Sequence, residues 1–313
     1  MSGAEAGGAA LICGSMAFDT IMVFHDRFVH HILPDKIHLL NVSFLVPQMR
    51  REFGGCAGNI AYNLMLLGDR GYPMATVGSD FATYRDWLAR CGIPADHVRT
   101  VDAELTAQAF ITTDLDNNQI TAFHPGAMQH SHLNHVADAR GIRLGIVAPD
   151  GREGMIRHAE EFAAAGVPFI FDPGQGLPMF SGDDLKRFIS QARWVTVNEY
   201  EWQLVEQRTG WSVREVGARV EALIITRGAE GSSIFTGGEE LRIPVARVNA
   251  VVDPTGCGDA YRAGLLHGLL RGLTWEETGH IASLMGAFKI EARGTQNHRF
   301  TPAEFAARLA ASY

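Results

Sequence analysis

The sequence has few cysteines and no long apolar run, and each absence excludes a class of protein. Its four cysteines form no CxxC pair, which argues against a disulfide framework and a zinc site. No segment approaches the roughly 20 apolar residues that a membrane-spanning helix needs. The opening MSGAEAGGAA also lacks the basic start and apolar centre of a secretory signal. We therefore expect a cytoplasmic protein with reduced thiols and no membrane partner.

Positive charge is also scarce. The chain has 27 Lys and Arg against 35 Asp and Glu, a formal net charge of −8, and no basic run. This balance argues against a nucleic-acid partner. The GxxxxGK[ST], HExxH and GxSxG fingerprints are absent as well. With 46% hydrophobic residues in 313, the chain can bury a large core, so we expect one domain over 1–313 with a flexible tail at 1–9.

The second half of the chain alternates short apolar strands with helical patterns. Strands are predicted in LGIVAP, VPFIFDP, WVTVN and ALIITRG. Strands buried on both faces and joined by crossover helices indicate a mostly parallel sheet flanked by helices. Such sheets bind ligands at the carboxyl ends of their strands. That rule directs attention to Asp172, Asn198, the segment 226–228, and Asp19 at the end of the first predicted strand, AALICGSMAFD.

The first half contains two segments with strand character and no useful helix. The segment 20–51 indicates a small antiparallel excursion, and TAQAFITTDLDNNQITAFH predicts a hairpin with Asn117 and Asn118 at its turn. Between them, GNIAYNLMLLG predicts a helix that ends at Gly68.

The segment DPTGCGDAYRAG places glycines and an acid where a helix begins. An apolar stripe through Tyr261 predicts that this helix starts near Asp259. The backbone amides of Gly256, Cys257 and Gly258 would then be free to hold an anion such as phosphate. Asp259 would repel that anion, so its presence favours a role in removing a proton from the group that attacks phosphorus. The alternative is an ordinary helix cap.

This segment resembles the C-terminal signature of the ribokinase-like (PfkB) carbohydrate kinase family. FGGCAGNIAYNLMLLG is similar to the N-terminal signature, VGSDFATYRDWLARCGI to the segment after it, NEYE to the NxxE motif, and ITRGAEGS to the strand and turn at the nucleotide. The five segments occur in order over nearly the whole chain. The resemblance implies an ATP-dependent kinase with the ribokinase-like α/β fold: a mostly parallel central sheet flanked by helices, and a small β-sheet lid formed by about 20–51 and 105–124.

The resemblance also implies roles for particular residues. Asp259 would be the general base, and the amides of Gly256, Cys257 and Gly258 the anion hole. The nucleotide would lie along Asn198, Thr226, Arg227, Gly228 and Gly231. Asn198 and Glu201 would organise Mg²⁺ through water, although a polar strand end with a surface glutamate is the alternative. A K⁺ site would use Asp253 and carbonyls of the segment 292–298.

For the phosphoryl acceptor, the resemblance points to a sugar. Asp19 and Asn59 would hold its hydroxyls, and a carboxylate with an amide suits a vicinal diol. Gly54 and Gly55 would be the hinge of the lid. The hairpin residues expected at the substrate are Gln108, Phe110 and His124.

The lid is rich in aromatic rings, which either stack on a purine or form a small core of their own. These are Phe24, His25, Phe28, Phe44, Phe110, Phe123 and His124. We favour stacking, and hence phosphorylation of the 5′-hydroxyl of a ribonucleoside such as adenosine, inosine or guanosine. A kinase of a free sugar such as ribose or fructose, and a non-catalytic nucleoside or sugar sensor, are the alternatives. Both a monomer and a homodimer fit the sequence.

Three further features concern the site. Arg262 either meets a phosphate or lies in solvent. The thiol of Cys257, at a helix N-terminus, would have a lowered pKa and some reactivity, without a catalytic role. A histidine-rich segment suggests a metal site, but its spacing favours a solvated loop; its members are His124, His130, His132 and His135.

Overall fold

The computed structural model describes residues 8–32, 41–116 and 118–313. Residues 1–7 of the expected tail and Asn117 of the expected turn lie outside this part. Its strands, in chain order, are β1 (Ala9–Cys13), β2 (Ala17–Val23), β3 (Gln48–Gly54), β4 (Gly71–Gly78), β5 (Val98–Val101), β6 (Ala107–Thr113), β7 (Gln119–His124), β8 (Ile142–Val147), β9 (Phe169–Phe171), β10 (Trp194–Asn198), β11 (Ala222–Thr226), β12 (Ser232–Thr236) and β13 (Glu239–Ile243). Its α-helices are α1 (Cys56–Leu66), α2 (Ala82–Cys91), α3 (Arg152–Ala164), α4 (Gly182–Gln191), α5 (Glu199–Thr209), α6 (Val213–Gly217), α7 (Cys257–Arg271), α8 (Trp275–Ile290) and α9 (Pro302–Ser312).

Nine strands form the larger sheet, in the order β13-β12-β11-β10-β9-β8-β1-β4-β5. All neighbouring pairs from β11 to β5 are parallel, whereas β12 pairs antiparallel with both β11 and β13. One face packs against α1, α2, α7 and α8, and the other against α3, α4, α5 and α6. The predicted mostly parallel sheet between helical layers is therefore confirmed.

The smaller sheet has the order β3-β2-β6-β7 and is separate from the first. The hairpin β6–β7 is antiparallel as predicted, while β2 and β6 pair parallel. The turn of the hairpin is organised by Asp114, whose carboxylate accepts hydrogen bonds from the amides of Phe28, Asp116 and Asn118.

Three predicted boundaries differ from the structure. AALICGSMAFD is two strands: β1 in the large sheet ends at Cys13, and β2 of the small sheet begins at Ala17, so Asp19 lies within the small sheet. The helix predicted from near Asp259 begins two residues earlier, because Gly256 adopts φ 81° as its N-cap and turns the chain into it. Ala9, assigned to the tail, already belongs to β1.

Within the described residues, no helix combines the length and the apolar character needed to cross a membrane.

Candidate active site

The candidate site lies where the N-terminal ends of α1 and α7 meet at the carboxyl edge of the large sheet. The chain enters α1 through Gly55, whose φ is 84° and whose hypothetical Cβ would lie 2.5 Å from the carbonyl oxygen of Ser15. Glycine is therefore required there. The close approach puts the amide of Ala57 2.9 Å from the same carbonyl and fixes the first turn of α1 beside the end of β1.

Asp259 lies in the first turn of α7 and faces Asn59 of α1. The Asn59 amide nitrogen donates to Asp259 Oδ2 at 2.8 Å. Loss of solvent around the carboxyl raises its pKa to about 6, with Asn59 and Arg262 opposing the rise and Asp172 adding to it. A carboxylate with this pKa is ionised at neutral pH and is basic enough to accept a proton.

A hydrogen-bond chain continues from Asn59 towards the small sheet. Gln296 Nε2 donates to Asn59 Oδ1 at 3.0 Å and approaches the Tyr84 hydroxyl at 2.6 Å, and Tyr84 donates to the Gly54 carbonyl at 2.9 Å. The chain fixes the Asn59 amide so that its nitrogen faces Asp259. The sequence analysis predicted no role for Gln296 or Tyr84, and it predicted that Asn59 binds only the sugar.

Asp19 stands directly over Gly54, where a Cβ would collide with its carboxylate. Its β2 position pairs with Glu52 of β3. Burial, followed by the charges of Glu52 and Asp253, raises the pKa of Asp19 to about 6. In the described part of the chain, Asp19 has no hydrogen-bond donor among the side chains and amides, so its oxygens are available to a ligand.

The first turn of α7 offers backbone amides to an anion. The Cys257 amide donates to the Pro254 carbonyl at 3.2 Å, which the sequence did not predict. The amides of Gly256, Gly258 and Asp259 have no acceptor among the described residues. These three, at the positive end of a 15-residue helix, form the donor set for an anion.

The thiol of Cys257 differs from expectation. Burial is the largest influence, and it raises the pKa of this thiol to about 11. The helix terminus therefore does not make Cys257 a reactive thiolate.

Arg262 is neither solvated nor free to meet a phosphate. Its Nε and Nη2 donate to the two carboxylate oxygens of Asp172 at 2.9 and 3.0 Å, and the two side chains are only 7% and 4% exposed. The pair joins α7 to the end of β9. Asp172 therefore lies at this edge of the sheet, as the sequence predicted, but Arg262 already occupies both of its carboxylate oxygens.

Asn198 and Glu201 form a reciprocal capping box at the start of α5. The Asn198 side chain accepts from the Glu201 amide at 2.8 Å, and Glu201 Oε2 accepts from the Asn198 amide at 2.7 Å. Burial and then Asp172 raise the pKa of Glu201. Its Oε1 has no partner among the described residues, and such a carboxylate oxygen fits a hydrated Mg²⁺. No three acidic, His or Cys side chains there are grouped to coordinate a metal directly.

The predicted nucleotide residues follow the ends of β10 and β11. Asn198 and Thr226 are paired in register. Arg227 bonds Ser233 and lies 3.4 Å from Glu199, so its charge is already partnered. Gly228 and Gly231 bracket the turn, which the Arg227 amide closes by donating to the Gly231 carbonyl at 2.8 Å.

Asp253, the residue expected at a K⁺ site, accepts hydrogen bonds from the amides of Thr255 and Gly294, both at 2.9 Å.

The small sheet does not bring all its predicted site residues together. The strand register puts Gln108, Phe110 and His124 on the face of Thr20, and Gln108 donates to the Thr20 hydroxyl at 2.6 Å. Because side chains alternate along a strand, Asp19 points to the opposite face. Ala109 pairs with both Asp19 and Phe123, so Phe123 lies on the same face as Asp19. Phe123 is 52% exposed.

Other aromatic side chains of this region pack on one another. Phe44 lies 4.8 Å from Phe24 and 5.0 Å from Phe28, measured between ring centroids. These rings form a small core, which was the alternative to stacking on a purine.

The histidine-rich segment contains the 3₁₀ helix Gly126–Leu133 instead of an open loop. Three of its histidines lie near different acids: His130 is 3.5 Å from Glu104, His132 is 3.7 Å from Glu153, and His135 is 2.8 Å from Glu161.

The sequence matches both a protein-family model and a relative of known class. The model of the pfkB family carbohydrate kinases matches residues 15–302. A nucleoside kinase of Methanocaldococcus jannaschii is 33% identical over 262 residues, covering 82% of this chain and 85% of that one.

The fold is also similar to solved structures. Burkholderia thailandensis nucleoside kinase in complex with inosine is 53% identical, with a TM-score of 0.89 over 97% of this chain and 98% of that one. The same kinase in complex with ADP-inosine is 55% identical, with a TM-score of 0.87 over 97% of this chain and 96% of that one.

Proposed function

Because the chain belongs to the pfkB family of carbohydrate kinases, and is an ATP-dependent kinase, we propose that it phosphorylates the 5′-hydroxyl of a ribonucleoside. Inosine, adenosine and guanosine are the proposed acceptors, and ADP is the second product. The observation that carries the proposal is the Asp259 carboxylate, held by Asn59 beside the free amides of α7. The similarity to a kinase solved with inosine supports the choice of a nucleoside.

In the proposed reaction Asp259 accepts the proton of the 5′-hydroxyl as its oxygen attacks the γ-phosphorus of ATP. The amides of Gly256, Gly258 and Asp259 donate to the transferring phosphoryl oxygens. Donors aimed at developing charge contribute about 3 to 4 kcal/mol each to lowering such barriers. The buried Arg262–Asp172 pair holds α7 against the sheet, so these donors stay in place.

Asp19 is proposed to hold the ribose diol. No described group of the chain donates a hydrogen bond to its oxygens. Its raised pKa indicates a carboxyl group whose ionised form would be stabilised by a hydrogen bond from a substrate hydroxyl. Phe123, on the same face, is the aromatic side chain best placed to contact the base. The small sheet would act as the lid, with Gly54 and Gly55 as its hinge, and exclude water from the phosphoryl group.

Asn198 and Glu201 are proposed to hold Mg²⁺ through water, at the ATP phosphates. The ion, when bound, neutralises phosphate charge. Because Oε2 of Glu201 accepts the Asn198 amide, Oε1 is the oxygen that would bind a water of the ion.

The class of acceptor can be tested by measuring ADP release with a panel of acceptors. The panel contains adenosine, inosine, guanosine, cytidine, ribose and fructose. We expect turnover with purine nucleosides and little with the free sugars. Turnover with ribose or fructose alone would identify a sugar kinase, and tight nucleoside binding without ADP release would identify a sensor.

Acidification should abolish the activity through Asp259 and Asp19. Both must be carboxylates, and their pKa values are raised from 3.8 to about 6. Below that pH each binds a proton, so kcat/KM for the nucleoside should fall by about tenfold per pH unit, and more steeply where both protonate. A pH profile that stays flat down to pH 5, about one unit below these values, would contradict both assignments.

A further inference from the structure

A buried lysine lies directly beneath the proposed anion hole. Lys289, near the end of α8, is 0% exposed and is one of only three lysines in the sequence. Its ammonium donates to the carbonyl oxygens of Asp253 at 2.7 Å and Ala292 at 3.0 Å. Lysine is almost never fully buried without such partners.

The ammonium joins the two segments that frame the first turn of α7. Its Cε lies 3.6 Å from where a Cβ of Gly256 would be. Next to it, the Asp253 carboxylate accepts from the Gly294 amide. Lys289 thus holds the turn that precedes the free amides, and adds a positive charge behind them.

The carbonyls that bond Lys289 belong to the segments implied for the K⁺ site. Backbone carbonyl oxygens suit K⁺ because they replace its water shell. An ammonium has three N–H donors and no acceptor, so it competes for the same oxygens. A second cation beside it would be repelled at close range. The residues present therefore do not fit K⁺.

We propose that the Lys289 ammonium takes the place of a monovalent cation and acts as a positioning residue. The enzyme therefore needs no K⁺. This inference rests on the proposed kinase activity. Lys289 does not touch the acceptor, so its removal should lower kcat and leave KM for the nucleoside nearly unchanged.

The unmodified enzyme gives the first test. Turnover of inosine and ATP with Mg²⁺ should agree within about twofold between KCl and tetramethylammonium chloride of equal ionic strength. A need for K⁺ would overturn the proposal, and it would do so without any variant. Absence of turnover in both salts, with melting unaffected by K⁺, would contradict the kinase assignment instead.

Lys289→Met gives the second test, with Lys186→Met on α4 as the matched control. In tetramethylammonium chloride, kcat of Lys289→Met should fall about 10²-fold. KCl or NH₄Cl should restore part of it, because the freed carbonyls can then bind the ion. KCl should also raise the melting temperature of this variant alone, a readout independent of catalysis. Full activity of Lys289→Met without K⁺ would overturn the proposal; if the variant does not fold, the salt comparison on the unmodified enzyme decides.

Discussion

Asp259→Asn is expected to lower kcat by about 10²-fold or more while nucleoside binding survives. The amide keeps the size of the side chain, and it can still accept the hydrogen bond from Asn59 through its oxygen. It cannot accept the proton of the 5′-hydroxyl. Steady-state kinetics and calorimetric titration with inosine measure the two effects separately.

Asp183→Asn is the matched control, because Asp183 is also an acid in the first turn of a helix, α4, and is exposed. It should leave kcat unchanged. Near-normal turnover of Asp259→Asn would contradict the proposal that Asp259 is the general base. Equal losses in both variants would indicate a general effect of charge.

Arg262→Met should be the most destabilising of the changes considered. It leaves the Asp172 carboxylate, which is 4% exposed, without its bidentate partner. Breaking a buried pair from one side costs about 3 to 5 kcal/mol of unfolding free energy. Urea denaturation of the variant and the unmodified chain measures this difference.

Two companions sharpen that experiment. Arg271→Met removes an arginine of the same helix whose ion pair with Asp69 is half exposed, and should cost less than about 1 kcal/mol. The double change Arg262→Met with Asp172→Asn should recover part of the lost stability, because no charge is then buried alone. A single Arg262→Met variant as stable as Arg271→Met would show that the pair does not hold α7.

The sequence was sufficient to locate Asp259 because every part of that feature is local. Two glycines, a small residue and an acid form the N-cap and first turn of a long helix, and neighbours in sequence are neighbours at a helix N-terminus. The alternation of strands and helices likewise predicted the parallel sheet, since each strand is buried on both faces.

Pairings between distant residues could not be predicted in this way. Asn59 and Gln296 are 237 positions apart, and Asp172 and Arg262 are 90 apart. Their contacts exist because the fold brings α1, the end of β9, the first turns of α7 and the segment after α8 together at one edge of the sheet. The local sequence gives one indication of the role of Lys289, because this lysine lies between Phe288 and Ile290 in an apolar helix. Nothing near it in the sequence predicts which carbonyl oxygens it bonds.

The small sheet shows a different difficulty. Gln108, Phe110 and His124 were predicted at the substrate, whereas the register places them opposite to Asp19. A shift of one residue moves every side chain of a strand to the other face. Here β2 pairs parallel with β6, and the sequence contains no turn between them that could set their register.

The central claim is that a phosphoryl group moves from ATP to the 5′-oxygen of a nucleoside on this chain. Phosphorus-31 NMR of the purified protein with ATP, Mg²⁺ and inosine tests it directly. The account predicts inosine 5′-monophosphate and ADP in equal amounts, and neither product with Asp259→Asn on the same timescale. Inorganic phosphate with ADP, or a phosphate on the 2′- or 3′-oxygen, would contradict it.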